Sequence, residues 1–252
     1  MGKKGGRKHL KRKPAPGFWP IHRKEYVWTI KSRPGPHALG HSLPLAMAVR
    51  DILGFAKTRK EAKNIIVQGK ILVDGQPRRE LAFPLGLMDV ISVPEANLFY
   101  RVLSQEKGFT LHPIEKDEST FKLCRIEDKT IVDHGHVQLN LHDGTNRLIR
   151  VADPKNPHES AYETLDTLKV AVPSGEIVGQ MKLAKNAHGL IVGGQNRGVH
   201  GKIVEVEEVS GKKRRSLLTT LENAEGKRFQ TILDFVFIVG DSGQSISLPE
   251  VS

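Results

Sequence analysis

The segment TRKEAKNIIVQGKILVDG, Thr58 to Gly75, leaves its backbone few choices. Thr58 and Glu61 have the spacing of a capping box, in which the Thr58 hydroxyl accepts from the Glu61 amide while the Glu61 carboxylate reaches back to the Thr58 amide. Ala62, Ile65 and Ile66 recur on one side of the helix so begun, and Gly69 stands where a left-handed C-cap is wanted. Ile71, Leu72 and Val73 follow as a strand and Asp74-Gly75 as a tight turn. Just upstream, Leu45, Val49, Ile52 and Leu53 fall at i, i+4, i+7 and i+8, one stripe of an earlier helix that Gly54 can close.

With the apolar stripe turned inward, Arg59, Lys60 and Lys63 lie on the outer side of the second helix. Arg50 and Lys57 precede it, and the hairpin adds Lys70, Arg78 and Arg79. Such a cluster suits a phosphate-binding face; a merely solvated charged face would have the same composition. The net charge is +11, and residues 1–33 hold eleven Lys/Arg against one acid, Glu25, so +10 of it sits there. Residues 34–97 add +2 and the remainder comes to −1. Basicity that falls away from the N-terminal end implies a polyanion binder gripping from that end, because clustered Lys/Arg displace counterions from phosphates.

The first residues, MGKKGGRKHLKRKP, carry Lys3, Lys4, Arg7, Lys8, Lys11, Arg12 and Lys13 and almost nothing to bury. They are expected to be disordered alone and to order on a partner. Phe18, Trp19, Tyr26 and Trp28 come next, interleaved with Arg23, Lys24 and Lys31. These rings either stack on bases or anchor the arm on a domain surface. No run approaches the roughly 18 apolar residues of a membrane helix, and no apolar h-region follows the basic start, so a soluble, unsecreted protein is expected. The single cysteine, Cys124, leaves no internal disulfide and no multi-cysteine zinc site, which fits a reducing compartment.

From about Glu95 the pattern turns to strands. Ile131 and Val132 lead into Val137, Leu139 and Leu141 at period two, Asp143-Gly144 supplies a turn, and Leu148, Ile149 and Val151 return. His134, His136 and His142 lie close together without a fourth ligand and are taken as ordinary hairpin residues, so no metal is expected. No catalytic arrangement stands out, and neither enzyme activity nor a cofactor is expected.

The stretch LIVGGQNRGVHGKIVEVEEV, Leu190 to Val209, ends its glycine loop in Gly-Lys, as a nucleotide-binding P-loop does. Aligned on Gly201-Lys202, however, Asn196 stands where the first glycine belongs and Ile203 where the magnesium-binding hydroxyl belongs. The residues that follow alternate like a strand rather than opening a helix. The glycines then serve the backbone: Gly193 and Gly194 permit a turn with positive φ, and Gly198 and Gly201 permit tight geometry or the close approach of another chain.

Two resemblances join these readings. The run AKTRKEAKNIIVQGKILVDG resembles the S-four RNA-binding domain, a small helix-and-hairpin fold of ribosomal proteins, pseudouridine synthases and tyrosyl-tRNA synthetases. GLIVGGQNRGVHGKIVEVE resembles the KOW motif, a loop on a small five-stranded barrel that commonly contacts RNA or protein. By that resemblance Asn196, Arg197, His200 and Lys202 become candidate contacts, with a purely structural turn as the alternative, and LDFVFIVG would close the barrel. The order of the basic arm, GPHALGHSLPLAMAVRDILGFA, VQLNLHDGTNRLI and the glycine loop is similar to that of the S-four-e family of archaeal and eukaryotic small-subunit ribosomal proteins, its archaeal branch in particular.

The resemblance implies an α+β, multidomain chain. Its expected parts are an extended, basic, aromatic-containing arm over 1–36, an S-four module over 37–94, a central β domain over 95–170, an SH3-like KOW barrel over 171–240 and a tail over 241–252. It implies a non-enzymatic constituent of the cytoplasmic ribosome, not a homo-oligomer, whose partners are small-subunit rRNA and neighbouring ribosomal proteins. The alternatives are a free KOW-containing factor or an S-four-containing RNA-modifying enzyme.

Overall fold

The computed structural model describes residues 9–106, 108–151, 161–207, 214–241 and 243–249. Lys3, Lys4, Arg7 and Lys8, and most of the segment expected to be disordered, lie outside these. Two units emerge: residues 1–102 with 107–113, and residues 103–106 with 114–252.

In the first unit β1 (Leu10–Lys11) pairs antiparallel with β2 (Trp28–Thr29), so the described part of the arm is folded back on itself rather than extended. Two guanidinium groups account for this by closing carbonyls that an extended chain would leave to water. Arg12, 8% exposed, donates to the carbonyls of His22 (2.7 Å) and Trp28 (3.3 Å) and to the Glu25 carboxylate. Arg23 donates to the carbonyls of Arg12, Lys13, Ala15 and Pro16. The loop is pinned by Trp19, which is 3% exposed and donates its indole N–H to the Ser42 carbonyl at 2.8 Å, and by Phe18, edge-on to Phe109.

Next come β3 (Leu43–Pro44) and α1 (Leu45–Met47), which widens over Ala48–Ile52 into a looser turn with Leu53 N–H bonded to the Ala48 carbonyl. The expected stripe is only partly right. Leu45 and Val49 are buried, but so are Ala46, Met47 and Ala48, while Ile52 and Leu53 are half-buried. Arm and second helix pack on this segment from more than one side, as Thr29 against the Met47 sulfur illustrates.

After α2 (Arg59–Val67) come β4 (Leu72–Val73), β5 (Gln76–Pro77), β6 (Pro84–Leu85, paired with β3), β7 (Val90–Val93), β8 (Leu98–Gln105) and β9 (Gly108–Pro113). The sheet order is β5-β4-β7-β8-β9. Asp74 (φ 49°) and Gly75 (φ 69°) make the expected two-residue turn. The sheet runs past the boundary expected at 94, because β7 bonds to β8.

The second unit holds two five-stranded sheets. One comprises β10 (Phe121–Ile131), β11 (Val137–Leu141), β12 (Asn146–Ile149), β13 (Thr167–Ala171) and β14 (Ile177–Met181), in the order β12-β11-β10-β13-β14. The expected hairpin is β11–β12. The sheet also crosses the boundary expected at 170, since β13 and β14 add to its other edge. The other comprises β15 (His188–Ile191), β16 (His200–Val206), β17 (Leu218–Glu222), β18 (Arg228–Ile232) and β19 (Val236–Gly240), ordered β18-β17-β16-β15-β19 and antiparallel throughout. The fold is thus α+β, with strands dominating and few helices.

Candidate nucleic-acid interface

The cap of α2 sets the direction of a cationic face. The Thr58 hydroxyl accepts from the Glu61 amide at 3.2 Å, while the Glu61 carboxylate accepts from the Lys57 amide at 2.9 Å, one residue earlier than the spacing suggests. Those amide and hydroxyl contacts, Lys57 first, hold the Glu61 carboxyl below its ordinary range. Ala62 and Ile66 are fully buried and Ile65 is half-buried. A helix so seated must present Arg59, Lys60 and Lys63 outward; all three are exposed and have no carboxylate partner among the described residues.

These side chains face an open groove of about 2070 Å³, walled by arm residues from Trp28 to Pro34, by α2, and by residues 77–83. Lys31, Arg33, Arg59, Lys60, Lys63, Arg78 and Arg79 line it, and Glu80 is the one acid among the described lining residues. Glu80 is engaged by Arg33 at 2.6 Å. Arg78 lies over the Phe83 ring at 4.7 Å and donates to the Gln76 side chain, which fixes its direction. A groove this large and open, with seven cations set among apolar residues such as Ile30, Val67 and Leu81, suits a phosphodiester backbone.

A second groove of about 710 Å³ shares Trp28 and Arg59 with the first and adds Arg12, Tyr26, Arg50 and Lys57 along with two acids, Glu25 and Asp51. Arg50 is less available than its charge suggests. Its guanidinium meets both carboxylate oxygens of Asp51 at 2.8 and 2.9 Å, and that bond raises its pKa.

Five expected contacts, Arg59, Lys60, Lys63, Arg78 and Arg79, therefore meet around one groove, and Lys57 and Arg50 line its neighbour. Arg12 also lines the smaller groove, with its guanidinium spent on arm carbonyls and Glu25. The others do not join them: Lys70 pairs with Glu95 at 2.8 Å, Lys13 and Lys24 are exposed away from both grooves, Arg23 holds the arm together, and Lys11 sits over Trp28. Lys31 and Arg33 are the lining cations that sequence reasoning missed; their signal was continuity with the basic arm.

The glycine loop of the second unit joins β15 to β16, and Gly201-Lys202 lies within a strand, as the failed P-loop alignment predicts. The positive φ angles fall at Gly194 (78°) and Gly198 (90°). Gly193 is not left-handed, and instead a Cβ there would lie 2.7 Å from the Phe235 ring. At Gly201 a Cβ would run into the Glu222 carbonyl, so close approach of another strand excludes any side chain.

Of the polar loop residues, Arg197 donates Nε–H to the Val192 carbonyl at 2.9 Å, and burial lowers its pKa. Asn196 reaches the Gln230 carbonyl at 3.4 Å. His200 packs Nε2 against the Pro249 carbonyl and Nδ1 against His188 Nε2, each at 3.3 Å. Burial lowers the pKa of both imidazoles, and their mutual charge adds to the effect at His188. Lys202 is exposed. Of the three central histidines, His136 accepts the Val151 amide and His142 the Arg125 amide, each at 3.2 Å, while His134 occupies a left-handed turn (φ 63°).

The chain is 48% identical over 251 residues to a small ribosomal subunit protein eS4 of Desulfurococcus amylolyticus, covering 99% of each. It is 50% identical to a protein of the same name from Aeropyrum pernix, covering 99% of this chain and 98% of the relative. The chain belongs to the eS4 family. Within it the Ribosomal family S4e model matches residues 96–177, the RS4NT domain residues 4–40 and the S4 domain, the S-four module, residues 44–91. The crystal structure of the 30S ribosomal protein S4e from Thermoplasma acidophilum superposes with a TM-score of 0.65 at 28% identity, covering 80% of this chain and 96% of that one. The larger groove is built jointly by the stretches that match the RS4NT and S4 domains.

Proposed function

We infer that this eS4-family chain is a structural constituent of the small ribosomal subunit, where it binds and stabilises rRNA during translation as part of the cytoplasmic ribosome. The observation that carries the reading is the groove between arm and α2, where, among the described residues, seven cations surround a single acid that is itself paired. Phosphates from RNA segments that repel one another would be neutralised there, with counterion release supplying the free energy. The glycine-loop sheet, read as a KOW-type barrel, would offer a smaller second contact through Lys202 and the outer edge of the loop to RNA or a neighbouring ribosomal protein.

The test is a salt titration of the chain on purified small-subunit rRNA. Deleting residues 1–8 removes Lys3, Lys4, Arg7 and Lys8 while leaving β1 and the Arg12 anchor in place. The slope of log affinity against log salt should flatten by about 0.7 to 0.9 for each phosphate that is no longer neutralised; an unchanged slope removes the first eight residues from the interface. The protein should also stay with washed small subunits at high salt, whereas release would favour a free factor.

A further inference from the structure

We propose that Trp28 is a stacking platform for an unpaired base, so that the RNA strand crossing from the larger groove to the smaller carries at least one nucleotide outside a duplex. The inference rests on the RNA-binding reading above and adds what that reading leaves open, namely whether bases as well as phosphates are held.

The chain has two tryptophans in different situations. Trp19 is 3% exposed with its indole N–H bonded, an anchoring ring; Trp28 is 55% exposed, and its indole N–H has no hydrogen-bond partner among the described residues. Trp28 also sits at the junction of the two basic grooves, lining both together with Arg59. Tyr26 (62%) and Val27 (61%) beside it are equally uncovered.

With more than half of its surface exposed, Trp28 adds little to the core. The Lys11 ammonium stands 5.8 Å over the ring and His9 meets its edge, which orients the indole and puts a cation beside whatever stacks on it. Charge fixes the class of occupant. Lys57, Arg59, Lys60 and Lys63 flank the junction, and the two acids of the smaller groove, Glu25 and Asp51, are already paired with Arg12 and Arg50, so the partner is a polyanion with flat apolar faces. Unpaired nucleotides combine the two, whereas in a regular RNA helix the base faces are already stacked on one another.

Trp19 is shielded, so quenching of intrinsic fluorescence reports on Trp28. The full chain is titrated with a single-stranded oligoadenylate, an RNA duplex of equal length, polyphosphate and polyglutamate. Oligoadenylate should quench, and the other three should bind with little quenching. Trp28→Leu should weaken oligoadenylate binding roughly 5- to 100-fold at unaltered salt slope, the range set by removal of one base stack, and Trp28→Phe should restore most of it. Equal affinity of wild type and Trp28→Leu for oligoadenylate, or equal quenching by polyphosphate or polyglutamate, overturns the stacking site while leaving phosphate binding intact. Failure of the wild type to bind either RNA overturns the RNA-binding reading and this inference with it.

Discussion

The arm–α2 groove and the glycine loop carry the same expected role, yet they use their polar side chains in opposite ways. Around the groove the helix and the arm are held from beneath, by Ala62, Ile66, Trp19 and the carbonyl-closing Arg12 and Arg23, so Arg59, Lys60 and Lys63 are left to solvent. In the loop Asn196 and Arg197, and at the start of β16 His200, each bond a backbone carbonyl of their own unit. A cation's part is thus decided by whether the backbone around it is already satisfied. Where capping and burial complete the fold, charge is released for a partner; where backbone carbonyls lie within reach without a strand partner, as at Val192, Gln230 and Pro249, side chains are drawn in to meet them.

Four measurements bear on that contrast. The largest effect is expected from Gly201→Val, which forces a side chain into the Glu222 carbonyl. It should destabilise the second unit by about 3 kcal/mol in chemical denaturation while the full chain keeps the salt slope of the groove; a stable variant would mean the two strands can separate. Next, Arg59→Gln with Lys63→Gln should lower the rRNA salt slope by about 1.4 to 1.8 with little change in denaturation midpoint, and an unmoved slope would return these residues to a solvated face. Arg197→Met should cost about 1 kcal/mol of stability by removing the bond to Val192, with the salt slope preserved. A slope reduced by the equivalent of one phosphate would make the loop arginine a phosphate ligand after all.

The smallest effect is that of pH on the His188–His200 pair. Both folded pKa values are lowered, first by burial, so the neutral forms favour the folded state. Stability is fully present above the unfolded value of about 6.5 and is lost as pH falls through the folded values, because the unfolded chain then binds protons more readily. Melting curves between neutral and mildly acidic pH should show the decline, and His188→Gln with His200→Gln should flatten it.

Local chemistry made much of this legible. Thr58, Gly69, Asp74 and Gly75 act within a few residues, and the structure finds each where its cap or turn chemistry puts it. The period-two run from Val137 likewise becomes β11 and β12. The fully buried Ala46, Met47 and Ala48 escaped the one-stripe reading because helical periodicity assumes a helix covered on one side.

The sequence alone determined the capped helix, the turns, the exclusion of a nucleotide loop at Gly201-Lys202 and the basic character of the N-terminal third, since each follows from backbone preference or from charge that no folding can remove. Only the tertiary structure decided that Arg12 and Arg23 bind carbonyls, that Trp19 is buried while Trp28 stands between two grooves, and that Lys31 and Arg33 face α2. Those outcomes depend on which distant backbone groups end up within hydrogen-bond reach, and a linear pattern does not encode that distance.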